Sequence, residues 1–345
     1  MDGILAVMVR LSTIKHLLLS FVFCSGAILI LIGLGFLYQP SEPYFATWSE
    51  LLYEDHGPLD VIVLGNSHAQ NSYSPLQAYQ EYGIASWTIG SGSITTPTKY
   101  AYAQTVISRE HPKVLAVELF GVTRDVELDP AQNIRAYYGM PLNGAKIAAM
   151  LETAHKNQLP ELLMPILPAP TRKFSLSHIP YISQKSDAGA IALDDDESNL
   201  VFLPTPSPNQ LQAQKAIEAY QISYLKKIAD LCRETDTQLL FFFAPTLEAL
   251  DYGSFESIRQ QVTSLYPEVK FLNSNDSLED IQLTKSDFAT TSHMNYRGQE
   301  KFTRWFGAQI KHLYPSPAII PDRRNQQHAA WWESNYDRWI NQLPR

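Results

Sequence analysis

Ser67 in Gly65-Asn66-Ser67-His68 and His293 in Ser292-His293-Met294-Asn295-Tyr296-Arg297-Gly298 have the types and settings that suit nucleophilic catalysis. A serine hydroxyl is a weak nucleophile until a base within hydrogen-bond reach takes its proton. Imidazole, which titrates near neutrality, is the usual base. The reaction also needs N–H donors aimed at the oxyanion that develops on the attacked carbonyl. Gly90, at the end of a second apolar run, offers a bare backbone N–H for this, and the Ser67 backbone N–H offers another. His68 adjoins the nucleophile, so its side chain is expected to point elsewhere and to pack or hydrogen-bond at the turn. Plainer readings stand beside these: a turn serine capping the next helix, and a histidine at a helix entry. Order along the chain favours chemistry, with serine after the first strand, glycine after the second and histidine before the last helix.

The elements that must position these residues alternate from Asp60 onward. Val61–Leu64 is a β-branched and aliphatic run of the kind that makes a buried parallel strand. Further strands are expected at Ala85–Ile89, Val114–Phe120, Leu239–Phe243 and Val269–Leu272. Helices are expected at Pro75–Tyr82, Thr96–Arg109, Asn209–Thr235, Tyr252–Tyr266 and Asn295–Leu313. Five βα units predict an α/β fold, a three-layer α/β/α sandwich around a parallel sheet, with chemistry at the carboxyl ends of the strands. Residues 129–208 break the rhythm and read as an insert over that edge, with a helical piece at Gly144–His155. The run Asp194-Asp195-Asp196-Glu197 lacks the alternating ligands and glycine of a calcium loop and reads as a solvated turn.

Upstream, Leu17–Leu37 is uncharged and long enough to cross a bilayer as a helix. Arg10 and Lys15 precede it and Glu42 and Glu50 follow, which places the amino terminus in the cytoplasm and the rest outside. A cleaved signal peptide competes, but Gly-Phe-Leu-Tyr-Gln-Pro is a poor cleavage site. The predicted layout is a cytoplasmic segment 1–16, an anchor 17–38, a juxtamembrane stretch 39–59, a catalytic-type domain 60–314 and a Trp-rich tail 315–345. In the juxtamembrane stretch, Trp48, Leu51, Leu52 and Tyr53 suit either a helix at the membrane or one packed on the domain. In the tail, Trp332, Tyr336, Trp339, Ile340 and Leu343 share a helical face. That face suits a membrane interface, a partner, or packing back on the same domain. The net charge is −8 and no Lys/Arg cluster stands out, which argues against a nucleic-acid partner. Cys24 and Cys232 lie on opposite sides of the anchor boundary, so an internal disulfide is not expected, and no Cys/His spacing suggests zinc. No cofactor or metal is expected.

From Asp60 to about Tyr314 the sequence resembles the SGNH (GDSL-like) hydrolase superfamily. The likeness rests on L-G-N-S-H-A-Q, Y-G-I-A-S-W-T-I-G-S, K-V-L-A-V-E-L-F-G, G-M-P-L-N-G-A-K-I and S-H-M-N-Y-R-G-Q-E-K-F-T. It is most similar to membrane-anchored members from Gram-positive bacteria with cell-surface polysaccharide functions, and more distantly to the D-alanyl-teichoic-acid transfer proteins. The resemblance implies a flavodoxin-like fold, strand order 2-1-3-4-5, and ester chemistry on acyl groups. It also implies an acylated glycan or polyol polymer as substrate and a polytopic membrane acyltransferase as partner. Two departures stand out. Members of the family usually carry Asp three residues before the catalytic histidine, where this chain has Thr290; Asp287, six before, matches a different Asp. The Gly-x-Asn-Asp block after the third strand is replaced by Glu118-Leu119-Phe120-Gly121. Thr290, Asp287 and Glu118 are therefore the candidates for supporting His293, with Glu118 alternatively a strand-end carboxylate held by backbone N–H groups. Two functions follow: an anchored serine esterase or O-acyltransferase, or a weakly active or inactive scaffold of the same fold.

Overall fold

The computed structural model describes residues 2–37, 43–92, 94–122, 135–137, 139–163, 187–194, 219–247 and 252–343. In chain order the elements are α1 (Asp2–Leu37), α2 (Pro43–Tyr53), β1 (Val61–Gly65), α3 (Ser67–Ser72), α4 (Pro75–Tyr82), β2 (Ser86–Gly90), α5 (Thr96–Glu110) and β3 (Val114–Glu118). There follow α6 (Gly144–Thr153), α7 (Leu159–Leu163), α8 (Ala219–Glu234), β4 (Gln238–Phe243), α9 (Tyr252–Thr263), β5 (Lys270–Asn273), α10 (Leu278–Ile281), α11 (Tyr296–Leu313) and α12 (Ala329–Gln342).

The strands form one parallel sheet in the order β2-β1-β3-β4-β5. Successive strand side chains point to opposite faces, and here both faces are covered. Ile62, Leu64, Leu115, Val117 and Phe241 pack on one side against α5, α8 and α9. Val61, Val63, Ala116 and Phe242 pack on the other against Ala69 of α3, Tyr73 just after that helix, and Phe302, Phe306 and Ile310 of α11. This explains why β1, β3 and β4 read as nearly continuous apolar runs rather than as alternation. The chain passes from β1 to β2 on one side and returns to β3 on the other, so the carboxyl ends of β1 and β3 flank a switch point where such sheets hold ligands.

The region read as an insert over the carboxyl edge divides, among its described residues, into two parts. α6 lies on the flank of α5 instead: Asn143 Nδ2 donates to Thr105 Oγ1 at 2.9 Å and Tyr137 OH meets Thr98 Oγ1 at 3.0 Å. Residues 187–194 do reach the rim. They run beside the edge strand β2, where Thr88 N donates to Ala188 O (2.9 Å), and touch α3, where Ile191 N donates to Gln70 O (2.9 Å). They also reach the entry of α11, where Tyr296 N donates to Leu193 O (2.9 Å). Asp195, Asp196, Glu197 and residues 209–218 of the expected long helix lie outside the described residues.

The Trp-rich tail packs on the domain, one of the three uses its apolar face suits. Arg323 makes two bonds to the buried Asp60, of 2.7 and 2.8 Å, at the amino end of β1. Trp332 stacks on Tyr79 of α4 with ring centroids 4.9 Å apart, and its indole N–H donates to His56 O at 2.9 Å. Trp332 and Trp339 are buried, and Tyr336, Ile340 and Leu343 pack on the same core, so the apolar face is used internally. α2 likewise buries Trp48 and Leu51 in the domain. Within α1, Thr13–Leu31 is long and apolar enough to span a membrane, and none of it is buried against the rest of the protein.

Candidate active site

The turn after β1 is shaped by crowding. A Cβ on Gly65 would fall 2.6 Å from the Ala69 Cβ and 2.8 Å from the Glu118 Cβ, so only glycine fits between α3 and β3. Asn66, not Ser67, caps α3: its Oδ1 accepts from His68 N at 2.9 Å. Its Nδ2 donates to Phe120 O at 2.9 Å, which ties the β1 turn to the exit of β3 across the switch point. With capping done by Asn66, the Ser67 hydroxyl is left for another partner.

That partner is His293. Ser67 Oγ and His293 Nε2 lie 2.7 Å apart, both side chains half-buried at the carboxyl edge of the sheet. The loop presenting His293 folds back on itself: Ala289 N and Thr290 N both donate to His293 O, and Phe288 and Met294 form an antiparallel bridge. Asn295 caps α11, accepting from Arg297 N and Gly298 N, so His293 is not the helix-entry cap either.

For Nε2 to take the Ser67 proton, Nδ1 must already carry a hydrogen and needs an acceptor. Two hydroxyl oxygens face it at 3.1 Å each, Thr290 Oγ1 and Ser292 Oγ. Thr290 Oγ1 also accepts from Ser292 N at 3.3 Å and His293 N at 3.1 Å. Two incoming N–H bonds fill its two lone pairs, which leaves Ser292 Oγ as the better acceptor for the Nδ1 hydrogen. Ser292 was not among the residues singled out from the sequence; only its adjacency to the histidine hinted at it.

Both acids named as supports are bonded to other groups. Asp287 is buried, capped on Thr284 N (2.7 Å) and Thr284 Oγ1 (2.8 Å) and paired with Lys301 Nζ at 2.8 Å. It holds the loop that carries His293 rather than His293 itself. Glu118 lies beneath Gly65, fully buried, with Oε1 accepting from Phe120 N at 2.7 Å. The held strand-end carboxylate is thus the correct reading. Burial pushes its pKa up to about 7 against the pull of Lys99 and of backbone N–H groups. Lys99 is buried beside it, its Nζ donating to the Glu118 carbonyl at 2.6 Å, and burial lowers its pKa.

His68 does not point away. Its ring stacks on Phe120 with centroids 3.4 Å apart and lies 4.7 Å from the His293 ring. It packs at the turn, as expected, but against the His293 ring. Gly90 pairs in register with Gly65, and a Cβ there would fall 2.3 Å from Gly65 O, so a side chain is excluded from this point of the ladder. Gly92, two residues on, opens on free space. Among the described residues no group of three or more His, Cys, Asp or Glu side chains could hold a metal ion.

The sequence matches no protein-family model and no curated protein. The class of chemistry therefore rests on the geometry: a serine hydroxyl bonded to an imidazole that is itself oriented by a hydroxyl, at the switch point of a parallel sheet. Such an arrangement can attack a carbonyl carbon and pass the proton to the leaving group.

Proposed function

We propose that this chain is a membrane-tethered serine esterase or O-acyltransferase of the SGNH type, with a flavodoxin-like catalytic domain outside the cell. Its substrate is an acylated cell-surface glycan or polyol polymer of the teichoic-acid kind. The 2.7 Å approach of Ser67 Oγ to His293 Nε2 carries this reading. Ser67 attacks the acyl carbonyl as its proton passes to His293 Nε2, and the ester oxygen leaves with that proton. The acyl group then rests on Ser67 as an ester. Water or a sugar or polyol hydroxyl, deprotonated by His293, takes it and frees the serine. The backbone N–H groups of Ser67 and Gly90 are the assigned oxyanion donors. A polytopic membrane acyltransferase would supply the acyl group if the reaction is transfer.

The second reading, a weakly active or inactive scaffold in an envelope-polysaccharide complex, draws on the hydroxyl groups that stand at Nδ1 in place of a carboxylate. Dyads without the acid keep part of the rate, so catalysis is favoured. The full chain in detergent is treated with a fluorophosphonate probe. Labelling of the wild type and not of Ser67→Ala is expected; absence of labelling in both points to the scaffold.

A further inference from the structure

We infer that the Ser67/His293 rim faces the membrane from which the chain emerges, and that the site takes an acyl ester presented at the bilayer surface rather than one diffusing freely. The inference rests on the anchor and hydrolase readings proposed above, and its evidence is the direction of α2. That helix is locked into the domain by Trp48 and Leu51. Its early residue Thr47 lies beside α3, the helix that Ser67 begins at the carboxyl edge of the sheet: Gln70 Nε2 donates to Thr47 Oγ1 at 3.3 Å. Thr47 Cγ2 also lies 3.0 Å from where a Cβ on Gly189 would stand, and Gly189 packs on Thr88 O of β2. The other end of α2 is at the amino edge: Leu52 O accepts from Arg109 Nη2 at 2.8 Å, at the end of α5 just before β3. α2 therefore runs antiparallel to the strands, and the chain enters the domain on the catalytic rim.

The tether is short. Beyond the apolar span that ends at Leu31, six more residues of α1 add about 9 Å, and the six Cα–Cα steps from Leu37 to Pro43, the first residue of α2, span roughly 20 Å at full stretch. The strands are four to six residues long, which separates the two edges of the sheet by about 13–20 Å. A rim joined to a bilayer span by so few residues is held within reach of lipid-borne groups, while the amino edge, with the buried Asp60–Arg323 pair, is held away. A tether of this length also raises the effective concentration of membrane-borne over dissolved substrate.

Two measurements test this, one independent of turnover. The full chain carrying Cys24→Ser is reconstituted in phosphatidylglycerol vesicles with an energy-transfer acceptor on the headgroups. A donor is placed at Gly92→Cys or Asp276→Cys on the carboxyl edge, or at Lys113→Cys on the amino edge; Cys232 is buried. Stronger transfer from the carboxyl-edge positions is expected. Equal or reversed transfer, or release of the domain from the vesicles, overturns the inference even if the chemistry holds. The second measurement inserts a helical spacer of about 20 residues, roughly 30 Å, between Gln39 and Pro40. Turnover of a dissolved acetyl ester should stay unchanged, while turnover of the same ester on a lipid anchor falls by roughly tenfold or more. Equal effects on both esters overturn the membrane-facing site. Ester turnover that survives Ser67→Ala instead counts against the hydrolase reading, which the energy transfer does not depend on.

Discussion

Thr290→Asp is the substitution that most directly probes how His293 works. In the native loop Thr290 Oγ1 accepts from Ser292 N and His293 N, and stands 3.1 Å from His293 Nδ1. An aspartate is close to threonine in length and is equally suited to accept the two backbone N–H groups, so the loop should keep its shape. One carboxylate oxygen can hold those bonds while the other faces Nδ1. The change then replaces a neutral acceptor by a charged one at the moment His293 becomes an imidazolium. A hydrogen bond to a charged group contributes about 1.5–3 kcal/mol against about 1 for a neutral one. Coulomb attraction at about 4 Å ranges from about 1 kcal/mol in water to about 4 at an effective dielectric of 20. Thr290 is exposed, so the lower part of that range applies. A gain of about 1–2 kcal/mol in the transition state corresponds to a rise of roughly 5- to 30-fold in kcat/KM. The assay is hydrolysis of a model acetyl ester across a pH series. Because a carboxylate favours the charged imidazole, the acidic limb of the profile should move to higher pH in the variant. An unchanged rate would mean that Ser292 or another group already orients the ring to full effect. A fall with the loop intact would refute the assignment of His293 as the base.

Other substitutions separate the frame of the site from its chemistry. Gly90→Ala would drive a carbon to 2.3 Å from Gly65 O. The partner is ladder backbone with little room to yield, so a loss of about 1–3 kcal/mol is expected in thermal melting; a melt that does not move would contradict this packing. Glu118→Gln addresses pH. The carboxyl ordinarily titrates at 4.5 and does so at about 7 when folded. Between those values the unfolded chain has released the proton that the folded one keeps, so this group makes stability fall as pH rises, with no further slope below or above the window. In the variant that part of the slope should vanish from denaturant titrations between pH 4.5 and 7; persistence would assign it to other groups. Trp332→Ala should lower stability by about 3–5 kcal/mol through the cavity under α4. A tail that merely hangs on the surface would show little change in the same melt.

The sheet was legible because its physics is local. A strand covered on both faces is apolar at nearly every position, as β1, β3 and β4 are, and such runs separated by helical stretches admit few arrangements. The observed strands agree with the expected ones to within one residue at each end, apart from β3, which ends at Glu118, two residues before the expected Phe120. The Ser67/His293 pair was legible for a related reason: the ends of β1 and the entry to the last helix of the layer lie on the same rim once the order of elements is known. The tail was not. A helix with Trp332, Tyr336 and Trp339 on one face has the same periodicity whether it docks on α4, on a lipid surface or on another protein. Only the positions of Tyr79 and of the His56 carbonyl decide among them. The same holds for α2, whose Trp48 and Leu51 suited both membrane and core.

The polar contacts around His293 were hidden for a different reason. Spacing places Thr290 where an acid is expected, and composition offers Asp287 and Glu118 as substitutes, but both carboxylates are committed elsewhere. Asp287 is held by Thr284 and Lys301, and Glu118 by the Phe120 backbone. Among the described residues, the groups that face the imidazole are a pair of hydroxyls three and one residues before it, together with the His68 ring that Phe120 holds at its side. The turn needs an oxygen acceptor at position 290, and threonine meets that need as well as aspartate does. The backbone shape of the loop therefore survives without the charge, and the contribution that charge would make is lost separately. If Ser67 is the nucleophile, the described residues contribute to its activation through the placement of neutral groups. Sequence spacing reveals the shape of such a site more readily than its strength, because a short loop can keep the one while surrendering the other.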